Sequence, residues 1–155
     1  MLTFKEWEQE VPESIKADSL WKMTAYRYAM FLGELAWPDV TRLIQDQRTI
    51  RLSDQLYRAI GSISANLAEG YSRQTGKARA CFYEYSLGSA RESCDWYYKA
   101  RHILGDEIFQ RRLKILEEII KLLLTMVPQQ RGRTLREEQA TYDIELPIET
   151  IPQPT

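Results

Sequence analysis

Apolar residues return every three or four positions through most of this chain, and no stretch before residue 140 alternates with the period of two that marks a strand. Trp21, Ala25, Tyr28, Leu32 and Leu35, widened by Met23 and Met30, predict a first helix from a Ser19 cap to about Ala36. Pro38 is expected to restart the chain as the first residue of a short helix ending near Gln45. A second helix, from a Ser53 cap to about Tyr71, carries Leu56, Ile60, Ile63 and Leu67 on one stripe. A third, from about Lys77 to Leu104, is expected to bury Ala78, Phe82, Tyr85, Ser89, Trp96, Ala100 and Ile103. The fourth, from about Asp106 to Val127, has a wide apolar face of Phe109, Leu113, Leu116, Ile120, Leu123 and Val127. The polar turn from Ser72 to Gly76 and the Gly105-Asp106 pair supply the breaks. The elements predict an all-α, antiparallel up-down four-helix bundle with short loops, over residues 19–127.

The ends differ from this body. Residues 1–18 hold Phe4, Trp7 and Val11 at helical spacing before and around Pro12, which fits a short docking helix. Residues 128–155 are polar at first and then contain most of the chain's prolines. There Tyr142, Ile144, Leu146 and Ile148 alternate with polar or stiff residues. Two readings stand for this tail: a disordered segment, or one that pairs in extended form with a partner.

Charge sharpens the division. Overall the formal charge is −1, yet residues 1–18 carry two Lys and five acids, and residues 128–155 carry three Arg and five acids. Between them, sixteen Lys and Arg face twelve acids, so a mildly basic body sits between two acidic ends. Cys81 and Cys94 share one predicted helix about 20 Å apart, too far for a disulfide. The acidic start MLTFKEWEQE lacks the apolar run of a signal peptide, and IIKLLLTMV is too short to cross a bilayer. A cytoplasmic protein without a membrane partner is expected.

The stretch SISANLAEGYSR places Ser62, Asn66, Glu69 and Arg73, with Gln55, on one line of the second helix. That line is expected to face Tyr85, Ser89 and Glu92 of the third helix across a close approach at Gly88-Ser89. An amide, a carboxylate and a hydroxyl there can satisfy one another and fix helix register, so Ser62, Asn66, Glu69, Ser89 and Glu92 read as a structural polar network. Catalysis finds little support. Carboxylate-bridged metal bundles need Glu-x-x-His from two helices, and the only histidine, His102, has Lys99 in the required place. His102 projects away from the apolar stripe and reads as solvated, and Cys81 reads as a small core residue. No P-loop, dinucleotide fingerprint, nucleophile elbow or zinc-ligand spacing occurs. No metal, no cofactor and no enzyme activity are expected.

The basic excess collects between Thr41 and Arg79. Arg73, Lys77 and Arg79 surround the turn between the second and third helices, where a helix start offers backbone N–H groups to phosphate. Arg48 and Arg51 are expected nearby, and Tyr71 is the one aromatic residue expected at the turn. Tyr26, Phe31, Tyr83, Tyr97 and Tyr98 exceed what one four-helix core encloses, which predicts an interface between subunits.

The run Ser62, Ile63, Asn66, Leu67, Ala68, Glu69, Gly70, then Arg73, then Leu87, Gly88, Ser89 and Glu92, resembles the four-helix-bundle family named for 23S rRNA intervening-sequence proteins. The resemblance covers roughly residues 19–127. That family is similar to the accessory variability determinants of diversity-generating retroelements, which form homopentameric barrels with basic surfaces. The resemblance implies a ring-like homopentamer without catalysis, with RNA or DNA bound on basic rims and a reverse transcriptase as a partner. The competing expectation is an oligomer that recruits a protein through its acidic ends.

Overall fold

A computed structural model describes residues 2–132, and every element in that range is helical. The chain runs through α1 (Phe4–Glu10), α2 (Glu13–Lys16), a 3-10 turn (Ser19–Lys22), α3 (Thr24–Leu43), α4 (Ile50–Tyr71), α5 (Gly76–Leu104) and α6 (Asp106–Gln130). The strand-like run Tyr142, Ile144, Leu146 and Ile148 lies outside the described residues, as does the rest of the chain beyond Gly132.

The last four helices form the antiparallel bundle. Arg42, at the end of α3, donates to the Ile103 carbonyl at the end of α5 at 3.1 Å, so both helices finish at one pole. At the opposite pole the Tyr71 hydroxyl, ending α4, donates to Ser19 Oγ before α3 at 2.8 Å. Gly76, opening α5, lies against the last turn of α6: a Cβ there would meet the Gln130 carbonyl oxygen at 2.1 Å. Only glycine permits that approach.

Four helix boundaries differ from the sequence reading. Asp18, not Ser19, caps the entry, because its carboxylate accepts from Leu20 N–H at 2.8 Å and winds a 3-10 turn; α3 begins only after Met23. Pro38 does not break the chain, and α3 runs through it to Leu43. An interior proline costs about 3 kcal/mol, but Asp39 and Leu43, both buried beyond it, anchor the last turn. Ser53 is buried inside α4 rather than capping it, with Oγ donating to the Ile50 carbonyl at 2.5 Å. α6 likewise continues through Pro128 to Gln130.

The N-terminal segment docks on the bundle. Thr3 and Glu6 form a reciprocal capping box, which starts α1. Phe4 then packs edge-on against Tyr28 and Phe31, and Trp7 meets Phe31 and Trp21. Both residues belong to the same core as α3.

In α5 the buried face is rotated from the expected one. Tyr83, Ser86, Ala90, Ser93, Tyr97, Ala100 and Leu104 are buried at alternating spacings of three and four, the seam of a coiled coil. Tyr85 is exposed, and Ala78, Phe82, Ser89, Trp96 and Ile103 are only half-buried. Weighting by hydrophobicity misplaced the face because small Ser and Ala residues occupy the seam, where they let neighbouring helices approach. Ser86 shows how close: its Oγ donates to the Ile63 carbonyl of α4 at 2.8 Å.

The aromatics expected at an interface divide accordingly. Phe31, Tyr83 and Tyr97 are core residues, Tyr26 is half-buried, and only Tyr98 is exposed. Among the described residues the exposed aromatics are Trp37, Tyr57, Tyr85 and Tyr98.

Candidate nucleic-acid interface

The five cations expected on one surface fall at two poles. Arg48 precedes α4 and Arg51 lies in its first turn, whereas Arg73, Lys77 and Arg79 follow its end. A 22-residue helix separates the groups by about 33 Å. Arg48 and Arg51 are therefore not near the α4–α5 turn, because α4 stands between them.

At the turn itself, Thr75 Oγ1 accepts from Ala78 N–H at 3.2 Å and starts α5. Arg73 donates to Glu69 at 2.7 Å and lies over the Phe82 ring at 4.6 Å. Arg79 donates to the Arg73 carbonyl at 2.7 Å and sits over Tyr71. Phe82 thus joins Tyr71 as a second aromatic residue at this turn, and both rings carry a guanidinium. Lys77 is exposed and has no ion-pair partner among the described residues. Arg131, which caps the end of α6 and pairs with Glu84 at 2.6 Å, adds a further cation. Sequence reasoning missed it because Pro128 was read as the end of the helix.

At the other pole, Arg48 grips Asp46 through two nitrogens at 2.9 and 2.6 Å. Those hydrogen bonds, joined by one from the Arg48 backbone, hold the Asp46 carboxyl down to about 2. Arg51 is exposed with no ion-pair partner among the described residues.

The polar stripe is not the interhelical network its sequence suggested. Asn66 Nδ2 donates to the Ser62 carbonyl at 2.8 Å, and Glu69 pairs with Arg73 just past the end of α4, so neither bond crosses to α5. On α5 the Ser89 carbonyl accepts from Ser93 and Glu92 accepts from Trp96 Nε1, again within one helix. Glu69 and Glu92 are exposed, where water competes for every such bond.

The buried network lies elsewhere. Arg112 of α6 sends Nε to Asp39 Oδ2 at 2.7 Å and Nη2 to Oδ1 at 3.0 Å, while the Tyr97 hydroxyl donates to Oδ2 at 2.8 Å. Asp39 is 2% exposed and Arg112 1%. Burial drives the Tyr97 hydroxyl well above its ordinary value, with the Asp39 charge adding to it. For Arg112, burial favours deprotonation, but the Asp39 hydrogen bonds and charge outweigh it and raise its pKa. Arg112 Nη1 is buried without a partner among the described residues. The signal was present: Asp39 and Arg112 both fall on the apolar stripes of their helices, a position where a charge must be paired.

His102 is exposed, and Cys81 and Cys94 are half-buried. Burial pushes the Cys94 thiol up to about 11, which opposes a nucleophilic role. Among the described residues no helix is long and apolar enough to cross a membrane.

The family model for 23S rRNA-intervening sequence protein matches residues 22–125, which spans the bundle from the 3-10 turn to the last turns of α6. Neither the curated proteins nor the solved structures contain a match. The residues that carried the resemblance, from Ser62 to Glu92, lie within α4, the α4–α5 turn and α5. The chain belongs to the 23S rRNA-intervening sequence protein family.

Proposed function

We propose that this protein is a non-catalytic homo-oligomer, a ring of five subunits, that binds RNA or DNA through basic rims at the poles of its bundles. The observation that carries the reading is the α4–α5 turn, where Arg73, Lys77 and Arg79 collect at the start of a 29-residue helix and Arg131 joins them. The helix start contributes positive potential and free N–H groups to the same pole. Arg73 is held by an exposed pair with Glu69, which a phosphate can replace at little cost. The two cationic poles of one subunit become two rims when subunits stand side by side, and repetition strengthens each weak patch.

A closed ring of one chain needs two different contact faces on each subunit. Tyr85 and Tyr98 supply them on opposite flanks of α5. Tyr85 stacks on Phe82, which presses against Gly70 of α4, while Tyr98 stacks on Phe109 of α6. The subunit number five rests on the resemblance, as does a reverse transcriptase as the protein partner.

Light scattering of the purified protein, alone and with a short duplex DNA or an RNA of matched length, tests the reading. A five-subunit mass that rises on adding nucleic acid at low salt is expected. A monomer at micromolar concentration would remove the ring. A ring whose mass does not change would leave a protein-recruiting oligomer.

A further inference from the structure

A second surface runs along the side of the bundle and ends beside the Arg48–Arg51 pole. Trp37 is 63% exposed and Tyr57 42%, and the two rings pack edge-on at 5.8 Å across the outer seam between α3 and α4. Three adjoining depressions run along that seam. The first, about 270 Å³, lies where Trp7, Val11 and Ile15 of the N-terminal segment face Met30 and Glu34 of α3. The second, about 370 Å³, shares Met30 and Glu34 with it and extends to Trp37 and Tyr57. The third, about 440 Å³, shares Trp37 and Tyr57 and ends at Ile44 and Ile50, themselves 50% and 47% exposed. Shared walls make these one groove. From Met30 to Ile44 it measures about 21 Å, the length of a fourteen-residue helix.

Two features define what fits. Gly33 and Gly61 both line the middle depression, and a Cβ built on either meets nothing within 4 Å. Glycine weakens both helices there and leaves the floor open for another backbone. Two unpaired acids border the groove, Glu10 and Glu34, which have no ion-pair partner among the described residues, while Asp54 at the far end pairs with Arg58 at 3.1 Å.

We infer that the α3–α4 groove is a docking site for a cationic amphipathic helix of a partner protein. Its apolar side chains, one helical turn or two apart, enter the three depressions, and its Lys or Arg residues meet Glu10, Glu34 and Asp54. The chain's own segment beyond Gly132 does not fit, because it carries two Arg against five acids and would face a border of its own sign. A second copy brings fewer free cations than its charge suggests: on α5 and α6, Lys99, half-buried Arg111 and Lys121 are already paired within their own helices, with Asp95, Glu107 and Glu118. One end of the groove is built by residues 7–15, outside the part of the chain that the family match covers. The inference stands whether or not nucleic acid is bound.

The test uses the full chain and two labelled fourteen-residue peptides, one Leu/Lys and one Leu/Glu, each amphipathic as a helix. Fluorescence anisotropy is expected to show saturable binding of the Leu/Lys peptide and at least tenfold weaker binding of the Leu/Glu peptide. Gly61→Leu adds bulk to the floor at a position where a Cβ meets nothing within 4 Å. It should weaken Leu/Lys binding at least tenfold while the melting temperature does not fall. Glu34→Lys with Asp54→Lys should reverse the preference between the peptides. No binding, equal binding of both peptides, or binding indifferent to Gly61→Leu would overturn the inference. So would a loss of oligomer mass in Gly61→Leu, which would assign the groove to a second copy. Competition by a peptide of residues 138–155 would assign it to the chain's own tail.

Discussion

Two polar constellations in this bundle look alike in composition and do opposite things. Asp39, Tyr97 and Arg112 come from three helices and meet where water is excluded, whereas Asn66 bonds back to Ser62 within α4 and Glu69 pairs, in water, with Arg73 just past that helix's end. A carboxylate and a guanidinium occur in both. Burial makes the difference: an exposed pair is worth at most about 1 kcal/mol, while a buried charge stripped of its partner costs several times that. The buried set therefore fixes how α3, α5 and α6 pack. The exposed stripe leaves its groups free to exchange partners, as a contact surface must.

The sharpest way to break this comparison is to remove Asp39. Asp39→Ala leaves the Arg112 charge buried and unpaired and should cost about 3–5 kcal/mol in urea unfolding. A loss below about 1 kcal/mol would mean that the buried trio does not hold the helices. A smaller effect is expected at Gly70, the residue of the signature run that presses on α5. An added Cβ would stand 2.8 Å from Phe82 Cβ and from a Tyr83 ring carbon. Gly70→Ala should therefore cost about 1–3 kcal/mol by overpacking, despite alanine's better helix propensity. Stability equal to or above the parent's would show that α5 gives way freely there. The smallest effects belong to the stripe. Glu69→Ala should change stability by no more than about 0.5 kcal/mol, the usual range for exposed sites, and Asn66→Ala, which loses one part-buried bond within its own helix, by about 1 kcal/mol or less. A loss of about 2 kcal/mol at either would restore the interhelical network that the sequence suggested.

Much of the fold was readable from periodicity. The apolar stripes of the first, second and fourth helices and the turn at residues 72–76 appear close to where they were expected, because large aliphatic and aromatic residues dominate those stripes. α5 defeated the same method because Ser86, Ala90, Ser93 and Ala100 fill most of its core seam, while Phe82, Tyr85 and Trp96 lie off it. The helix ends at Leu43 and Gln130 were missed because tertiary anchoring carried helices through Pro38 and Pro128. Of the candidate site, Arg73, Lys77 and Arg79 fall together because they flank one turn. Arg48 and Arg51 do not join them, since nearness in sequence across a 22-residue helix is separation in space. The Asp39–Arg112 pair, 73 residues apart, is the kind of contact that one sequence does not specify, although each charge on an apolar stripe announced the need for a partner.

If the buried trio serves the fold and the exposed end of the stripe serves contact, the two must separate in one experiment. Duplex DNA binding is titrated against salt for the parent chain and for Arg73→Ala with Lys77→Ala, alongside a thermal melt of each. Parent affinity should fall with a log–log slope near −0.9 for each phosphate contact. The double variant should bind unrelated sequences more weakly by a similar factor, show a flatter slope and melt as the parent does. Binding that ignores salt, or that survives the double change, would contradict a nucleic-acid interface at the α4–α5 turn.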